Sequence, residues 1–202
     1  METSNTTKII KILKENNIFL FSLSDFERLF DINNKNTLYK KIQRLEAEGI
    51  VQKLKKGYYR FLLAEINDFI LANFLYQPSY ISLESALSFY GIITGFPYQI
   101  TSLTPKKSKT YFIDNKEFHY SKINPSFFWG YQKKDEFLIA EKEKAIVDYV
   151  YFHLKGLKNF DPSEFNLTEI DKKKLFDYGK RFKNQKLIIK IRKLYDYQRT
   201  NS

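Results

Sequence analysis

From its first residues the chain sets short apolar clusters among polar ones at helical spacing. Ile9, Ile10, Ile12 and Leu13 share one face of Thr6–Glu15, which predicts an amphipathic helix. Ile18–Leu23 is a short apolar run. Ser24 followed by Glu27 has the form of a capping box, with Phe26, Leu29 and Phe30 on one face of a second helix. Asp31-Ile32-Asn33-Asn34 predicts a turn. A third helix is expected from about Asn36 to Glu48, burying Leu38, Ile42 and Leu45 and stopped by Gly49. Two strand-like runs follow, Ile50–Leu54 and Tyr58–Leu62, joined at Lys55-Lys56-Gly57. Three short helices followed by a hairpin is the order of a winged helix-turn-helix.

Beyond this point the pattern changes. Ala64–Tyr76 reads as a helix with Ile66, Phe69, Ile70, Asn73 and Phe74 on its inner face, ended by Gln77-Pro78-Ser79. Ser82 is expected to cap a helix over Leu83–Tyr90, with Gly91 stopping it. Short β-rich runs then cover Gln99–Thr104, Thr110–Ile113, Phe118–Ile123, Phe128–Gln132 and Phe137–Ile139, with a hairpin turn at Asp114-Asn115-Lys116. Glu141–Leu154 reads as a helix burying Ala145, Ile146, Tyr149, Val150 and Phe152, closed by Gly156. Thr168 is expected to cap Glu169–Tyr178, and Gly179 to separate it from a last helix at about Asn184–Arg199, with Leu187, Ile188, Ile191, Leu194 and Tyr195 as its apolar stripe. The expected class is α+β. A winged helix-turn-helix spans residues 1–63, and a mixed αβ domain with a short-stranded sheet and C-terminal helices spans residues 64–202.

Composition narrows the chemistry. The 202 residues contain no cysteine and two histidines, His119 and His153, so disulfides, thiolate metal sites and a cysteine nucleophile are excluded. No run approaches the ~20 apolar residues of a membrane-spanning helix. The apolar stretch Phe61–Tyr76 is broken by Glu65 and Asp68. The first residues lack the basic-then-apolar order of a signal peptide, so a cytoplasmic protein without a membrane partner is expected.

Net charge is +11, from 34 Lys+Arg against 23 Asp+Glu. An AT-rich coding sequence would also yield a lysine-rich chain, but it would spread the excess evenly. Here residues 1–64 carry 12 basic and 7 acidic side chains, residues 65–170 carry 11 and 13, and residues 171–202 carry 11 and 3. An excess confined to the ends points to an anionic partner. Within the third helix Thr37, Lys41 and Arg44 recur at i, i+4, i+7, with Lys40 alongside and Asn36 at the start, a polar basic stripe suited to the major groove. The hairpin carries Lys53, Lys55, Lys56 and Arg60, suited to phosphates. In the last helix Lys183, Lys186, Lys190 and Lys193 form a second basic stripe, either a polyanion-binding face or the solvated side of a docked helix.

Three segments of the middle region resemble AbiEi-type antitoxins: Pro78–Ile92 (PSYISLESALSFYGI), Phe118–Ile123 with Phe128–Tyr131 (FHYSKI, FWGY), and Ile139–Tyr149 (IAEKEKAIVDY). The likeness covers roughly residues 5–155. It implies a winged helix ahead of an αβ domain, in a type IV toxin–antitoxin system of the phage abortive-infection kind. It further implies a transcriptional repressor of its own promoter, bound at inverted repeats, that antagonises a cognate nucleotidyltransferase-like toxin without necessarily binding it. Leu83, Ala86, Leu87, Ile146 and Trp129 within these segments also read plainly as core.

No catalytic constellation stands out, so no enzyme and no cofactor are expected. The chain has no P-loop, Gly-x-Gly-x-x-Gly, Gly-x-Ser-x-Gly or His-Glu-x-x-His. His119 and His153 read as packed or hydrogen-bonded. Asp114, Glu117 and His119 sit at a hairpin tip, and Glu141, Glu143 and Asp148 near a helix start, where the macrodipole favours carboxylates. Two other readings stay open. The winged helix could be a docking module that neutralises a partner by direct binding, or the basic tail could bind RNA.

Overall fold

The computed structural model describes residues 3–95 and 97–201 as a mixed α+β chain. It divides into two compact units, one up to Leu75 and one from Tyr76. The expected division lay twelve residues earlier, after residue 63.

In the first unit α1 (Thr3–Glu15), β1 (Leu20–Ser22), α2 (Leu23–Leu29), α3 (Lys35–Ala47), β2 (Val51–Lys55), β3 (Tyr58–Phe61) and α4 (Asp68–Leu75) follow in order. The three strands form an antiparallel sheet in the order β1-β3-β2, registered Phe21↔Tyr59 and Val51↔Phe61. Ile9 and Leu13 of α1, Phe26 of α2, and Leu38, Ile42 and Leu45 of α3 meet Phe21, Val51, Tyr59 and Phe61 in one core. The cap of helix α2 lies two residues before the expected one. The Ser22 hydroxyl, not that of Ser24, accepts from the Asp25 amide, and the Asp25 carboxylate accepts from the Ser22 amide at 2.9 Å. The Asn34 side chain caps α3, accepting from the Thr37 amide at 3.1 Å.

Helix α4 starts at Asp68, four residues after the expected position, where the Asn67 side chain accepts from the Phe69 amide. It is packed within the first unit. Phe74 meets Tyr58 edge-on at 5.3 Å, and the Lys55 amine donates to the Leu75 carbonyl at 2.5 Å. An apolar helix that finds cover on the outer face of the β-sheet belongs with that sheet.

The second unit is built on a six-stranded sheet, ordered β6-β7-β5-β4-β9-β8. The strands are β4 (Tyr80–Ile81), β5 (Gln99–Thr104), β6 (Lys109–Ile113), β7 (Lys116–Lys122), β8 (Tyr131–Lys134) and β9 (Phe137–Ala140). The pairs β5/β7 and β4/β9 are parallel, registered Ile100↔Phe118 and Ile81↔Ile139, and the other pairs are antiparallel. The hairpin at Asp114-Asn115 takes φ of 47° and 63°, the left-handed pair that a two-residue turn needs. The expected strand from Phe128 starts only at Tyr131, because Phe128 ends a 3-10 turn and Gly130 takes φ 73° against the Lys144 stem.

Helices α5 (Leu83–Phe89), α7 (Lys172–Arg181) and α8 (Gln185–Asn201) pack on α6 (Lys142–Leu154), which is buried without interruption from Glu143 to Val150. Here three expectations are corrected. Ser82 stands at the cap position of α5 but its hydroxyl bonds Asp148 instead. Helix α7 is capped by Asp171, while the Thr168 hydroxyl donates to Asn166. Gly179 lies inside α7, where an added Cβ would come within 2.9 Å of Ile188 Cδ1, so it allows close helix approach and does not break the chain. The break falls at Lys183, with φ 50°. Leu83, Ala86, Leu87 and Ile146 are fully buried, whereas Trp129 is only half-buried.

Candidate nucleic-acid interface

Helix α3 buries Leu38, Ile42 and Leu45 and turns the rest of its circumference to solvent. At ~100° per residue, Asn36, Lys40 and Gln43 lie within about 50° of the direction opposite that triplet, beside the short Ala47. All three are exposed. The expected stripe of Thr37, Lys41 and Arg44 lies on the flank: Thr37 and Arg44 are exposed, Lys41 is half-buried, and the Arg44 Nε donates to Glu48 at 2.7 Å. On the other flank Tyr39 is 50% exposed. Gln43 and Tyr39 went unread because the search followed charge. Projecting each residue away from the buried triplet finds both.

The hairpin separates its four cations. Lys56 is exposed at the turn beside Gly57, and Lys53 is exposed on β2. Lys55 is engaged inside the unit, its amine on the Leu75 carbonyl and 3.8 Å above the Tyr58 ring. Arg60 sits mid-strand on β3, paired with Leu20 and Gln52, and half-buried. By strand alternation its side chain shares a face with Tyr58, the face against which Phe74 packs, so it is not at the hairpin tip. The structure therefore leaves Lys56 at the tip and Lys53 exposed mid-strand on β2, and draws Lys55 and Arg60 to the sheet.

In the second unit Lys183, Lys186 and Lys193 are exposed, and Lys190 is half-buried with its amine 4.4 Å above the Phe160 ring. On α8, Lys186, Lys190 and Lys193 fall within about 60° of one another, on the flank about 100° round from the buried Leu187, Ile191 and Leu194. The basic stripe exists as a surface.

The sequence reading missed a buried polar cluster. Lys144 and Asp148, one turn apart on α6, form an ion pair with no exposed surface. The Tyr80 hydroxyl lies 3.0 Å from both the amine and Asp148 Oδ2, and Ser82 donates to the same oxygen at 3.0 Å. Trp129 meets two cations, the Lys144 amine 5.0 Å and the Arg181 guanidinium 3.5 Å from the ring centre. Burial pushes the Asp148 carboxyl up and the Lys144 amine down, and their mutual attraction opposes both shifts. Asp148 is thus mid-helix and internal, not a macrodipole carboxylate. Nearby, Lys174 bridges Glu141 at 2.9 Å and Glu143 at 3.1 Å, tying α7 to the start of α6. A cluster sealed in this way orders its unit and offers no access to a substrate.

The histidines are engaged locally: His119 Nδ1 pairs with the Thr110 hydroxyl at 3.1 Å, and His153 Nδ1 lies 2.9 Å from the Lys158 carbonyl. Among the described residues no three His, Asp or Glu side chains gather as a metal site, and no helix is long and apolar enough to cross a membrane. No protein-family model matches the chain, and a comparison with curated proteins finds no relative.

Proposed function

We propose that this protein is a winged-helix DNA-binding repressor of its own promoter that doubles as an antitoxin against a nucleotidyltransferase-like toxin. The observation that carries the DNA-binding part is the outer face of α3. A helix that anchors one stripe in a core and holds exposed, chemically unspent amide and amine groups on the opposite side has the form of a major-groove reader. The element order α1-β1-α2-α3-β2-β3 and the exposed Lys53 and Lys56 on the hairpin support it. The antitoxin part rests on the resemblance of the β4–α5, β7 and β9–α6 segments to AbiEi-type antitoxins.

Fluorescence anisotropy on a duplex from the protein's own promoter tests the first part. Lys53→Ala and Lys56→Ala should each weaken binding at every sequence and lower the salt slope by about one unit. Lys55→Ala, whose amine is spent inside the unit, should leave that slope unchanged. A Lys40/Lys41/Arg44 triple alanine variant that binds as tightly as the wild type overturns the assignment. Rescue of growth on co-expression with a cognate nucleotidyltransferase-like toxin tests the second part. A stoichiometric toxin complex purified without DNA would favour neutralisation by docking instead.

The exposed lysines of α8 favour a second reading, RNA binding by the C-terminal unit. Filter binding of the full chain and a Lys183/Lys186/Lys193 triple alanine variant to RNA and to duplex DNA separates the two, since only RNA binding should fall.

A further inference from the structure

Resting on the DNA-binding reading, we propose that α3 recognises adenines through Asn36 and Gln43, about three base pairs apart, with Lys40 on a guanine between them. Operator specificity would then lie with two amides and the Lys40 amine, and the basic flank would only hold the backbone.

Around the start of α3, Asn34 spends its carbonyl oxygen on the Thr37 amide and Asn33 donates to Asp31. Arg44 has its Nε on Glu48, and Lys41 is half-buried. Asn36, Lys40 and Gln43 make no side-chain hydrogen bond or ion pair among the described residues, and all three are exposed. With the short apolar Ala47 they lie within about 50° of the direction opposite the Leu38–Ile42–Leu45 stripe, so they are among the first polar groups to meet anything the helix is pressed against.

Their chemistry then selects the bases. A carboxamide carries one acceptor and one donor group side by side, which matches the N6 donor and N7 acceptor of adenine. A lysine amine only donates, which matches the O6 and N7 acceptors of guanine. The spacing follows from helix geometry. Seven residues at a rise of ~1.5 Å separate Asn36 from Gln43 by ~10.5 Å. At ~3.4 Å per base that distance is about three steps, and Lys40 at ~6 Å falls about two steps from Asn36.

The test is selection of binding sites by the full chain from a randomised duplex pool, repeated with Asn36→Ala, Gln43→Ala, Lys40→Ala and Gln43→Glu. The wild type should enrich adenines three positions apart with a guanine between. Each alanine variant should flatten its own position, a change of about 5- to 150-fold in the preference for that base. Gln43→Glu should move the favoured base from adenine to cytosine, because a carboxylate only accepts and cytosine offers the N4 donor. All four substitutions are at exposed positions, and unchanged far-UV dichroism checks the fold. Base profiles identical to the wild type in both amide variants overturn the inference and leave DNA binding standing. So does tight, salt-dependent duplex binding without base preference. A chain that does not bind duplex at all overturns the DNA-binding reading itself.

Discussion

Removing the Lys144 amine while keeping the stem's bulk, as in Lys144→Met, leaves Asp148 buried with no cation. The carboxylate keeps two hydroxyl donors, Tyr80 and Ser82, each at 3.0 Å, and both side chains of the pair are at 0% exposure in the intact protein. Breaking a buried pair from one side costs roughly 3–5 kcal/mol, and these two donors place Lys144→Met toward the lower end. Asp148→Leu should cost more. It strands the amine with only the Tyr80 hydroxyl and the rings of Trp129, Phe182 and Tyr80, the ring centres 5.0, 5.2 and 5.4 Å away. The Arg181 cation, 3.5 Å from the Trp129 ring centre, adds repulsion. The double variant removes both desolvated charges and should fall well short of the sum of the singles, with a coupling of about 2 kcal/mol or more. Urea unfolding followed by tryptophan emission reads the right unit, because Trp129 is the protein's single tryptophan and lies against this pair.

The pH dependence gives an independent check. Burial raises the Asp148 carboxyl above its ordinary 3.8, and without Lys144 nothing of opposite charge resists it. A folded-state pKa above the unfolded one means that the folded variant holds a proton which the unfolded chain releases. Its stability is therefore full below pH 3.8 and lost as pH rises through the folded value, so the cost of Lys144→Met should grow from acid toward neutral pH. Single variants costing under about 1 kcal/mol, or costs that simply add in the double, would refute a tightly coupled buried pair.

Two smaller perturbations probe the elements that surround the sites. Gly179→Ala puts a methyl 2.9 Å from Ile188 Cδ1 and 3.0 Å from Ile191 Cδ1, and should destabilise the α7–α8 pairing by about 1–3 kcal/mol in urea melts, with partial rescue by Ile188→Val. Ser22→Ala should cost about 1 kcal/mol, read as faster amide exchange across Leu23–Leu29. The Ser22 hydroxyl and amide hold the Asp25 carboxyl below its ordinary 3.8, so this stabilisation is present above pH 3.8 and lost as pH falls through the folded value; the variant should show a flatter acid limb.

Much of the fold was legible where apolar residues recur at a fixed period. Leu38, Ile42 and Leu45 placed α3 within one residue at either end, and the alternation of Phe118 and Tyr120 marked β7. Errors collected at boundaries, where two local signals competed. Ser22 and Ser24 each precede an acid by three residues, and pairing of β1 with β3 decides between them by holding Ser22 extended. Thr168 and Asp171 posed the same choice, settled for Asp171 by its amide, which donates to Glu143 on α6. Gly179 carries two opposite meanings in sequence, a break or a close approach, and only the isoleucines of α8 distinguish them. A lysine and an aspartate four apart on a helix read as a surface pair. Nothing local reveals that a sheet and three helices close around α6.

The charge excess lies at the two ends of the chain, yet within those ends and between them the structure puts lysines to unlike uses. Lys55 terminates on a backbone carbonyl, Lys144 is sealed in the second core, Lys190 rests on an aromatic ring, and Lys40 and Lys53 stand in solvent. A sum over residue types weights all of them alike. What separates a reader from a structural cation is whether its donors are already spent, which follows from neighbours brought in by the fold. By that criterion the two amides of α3, which contribute nothing to the charge, rank with the most available groups of the first unit, and Arg44 and Lys55, which do contribute, rank below them.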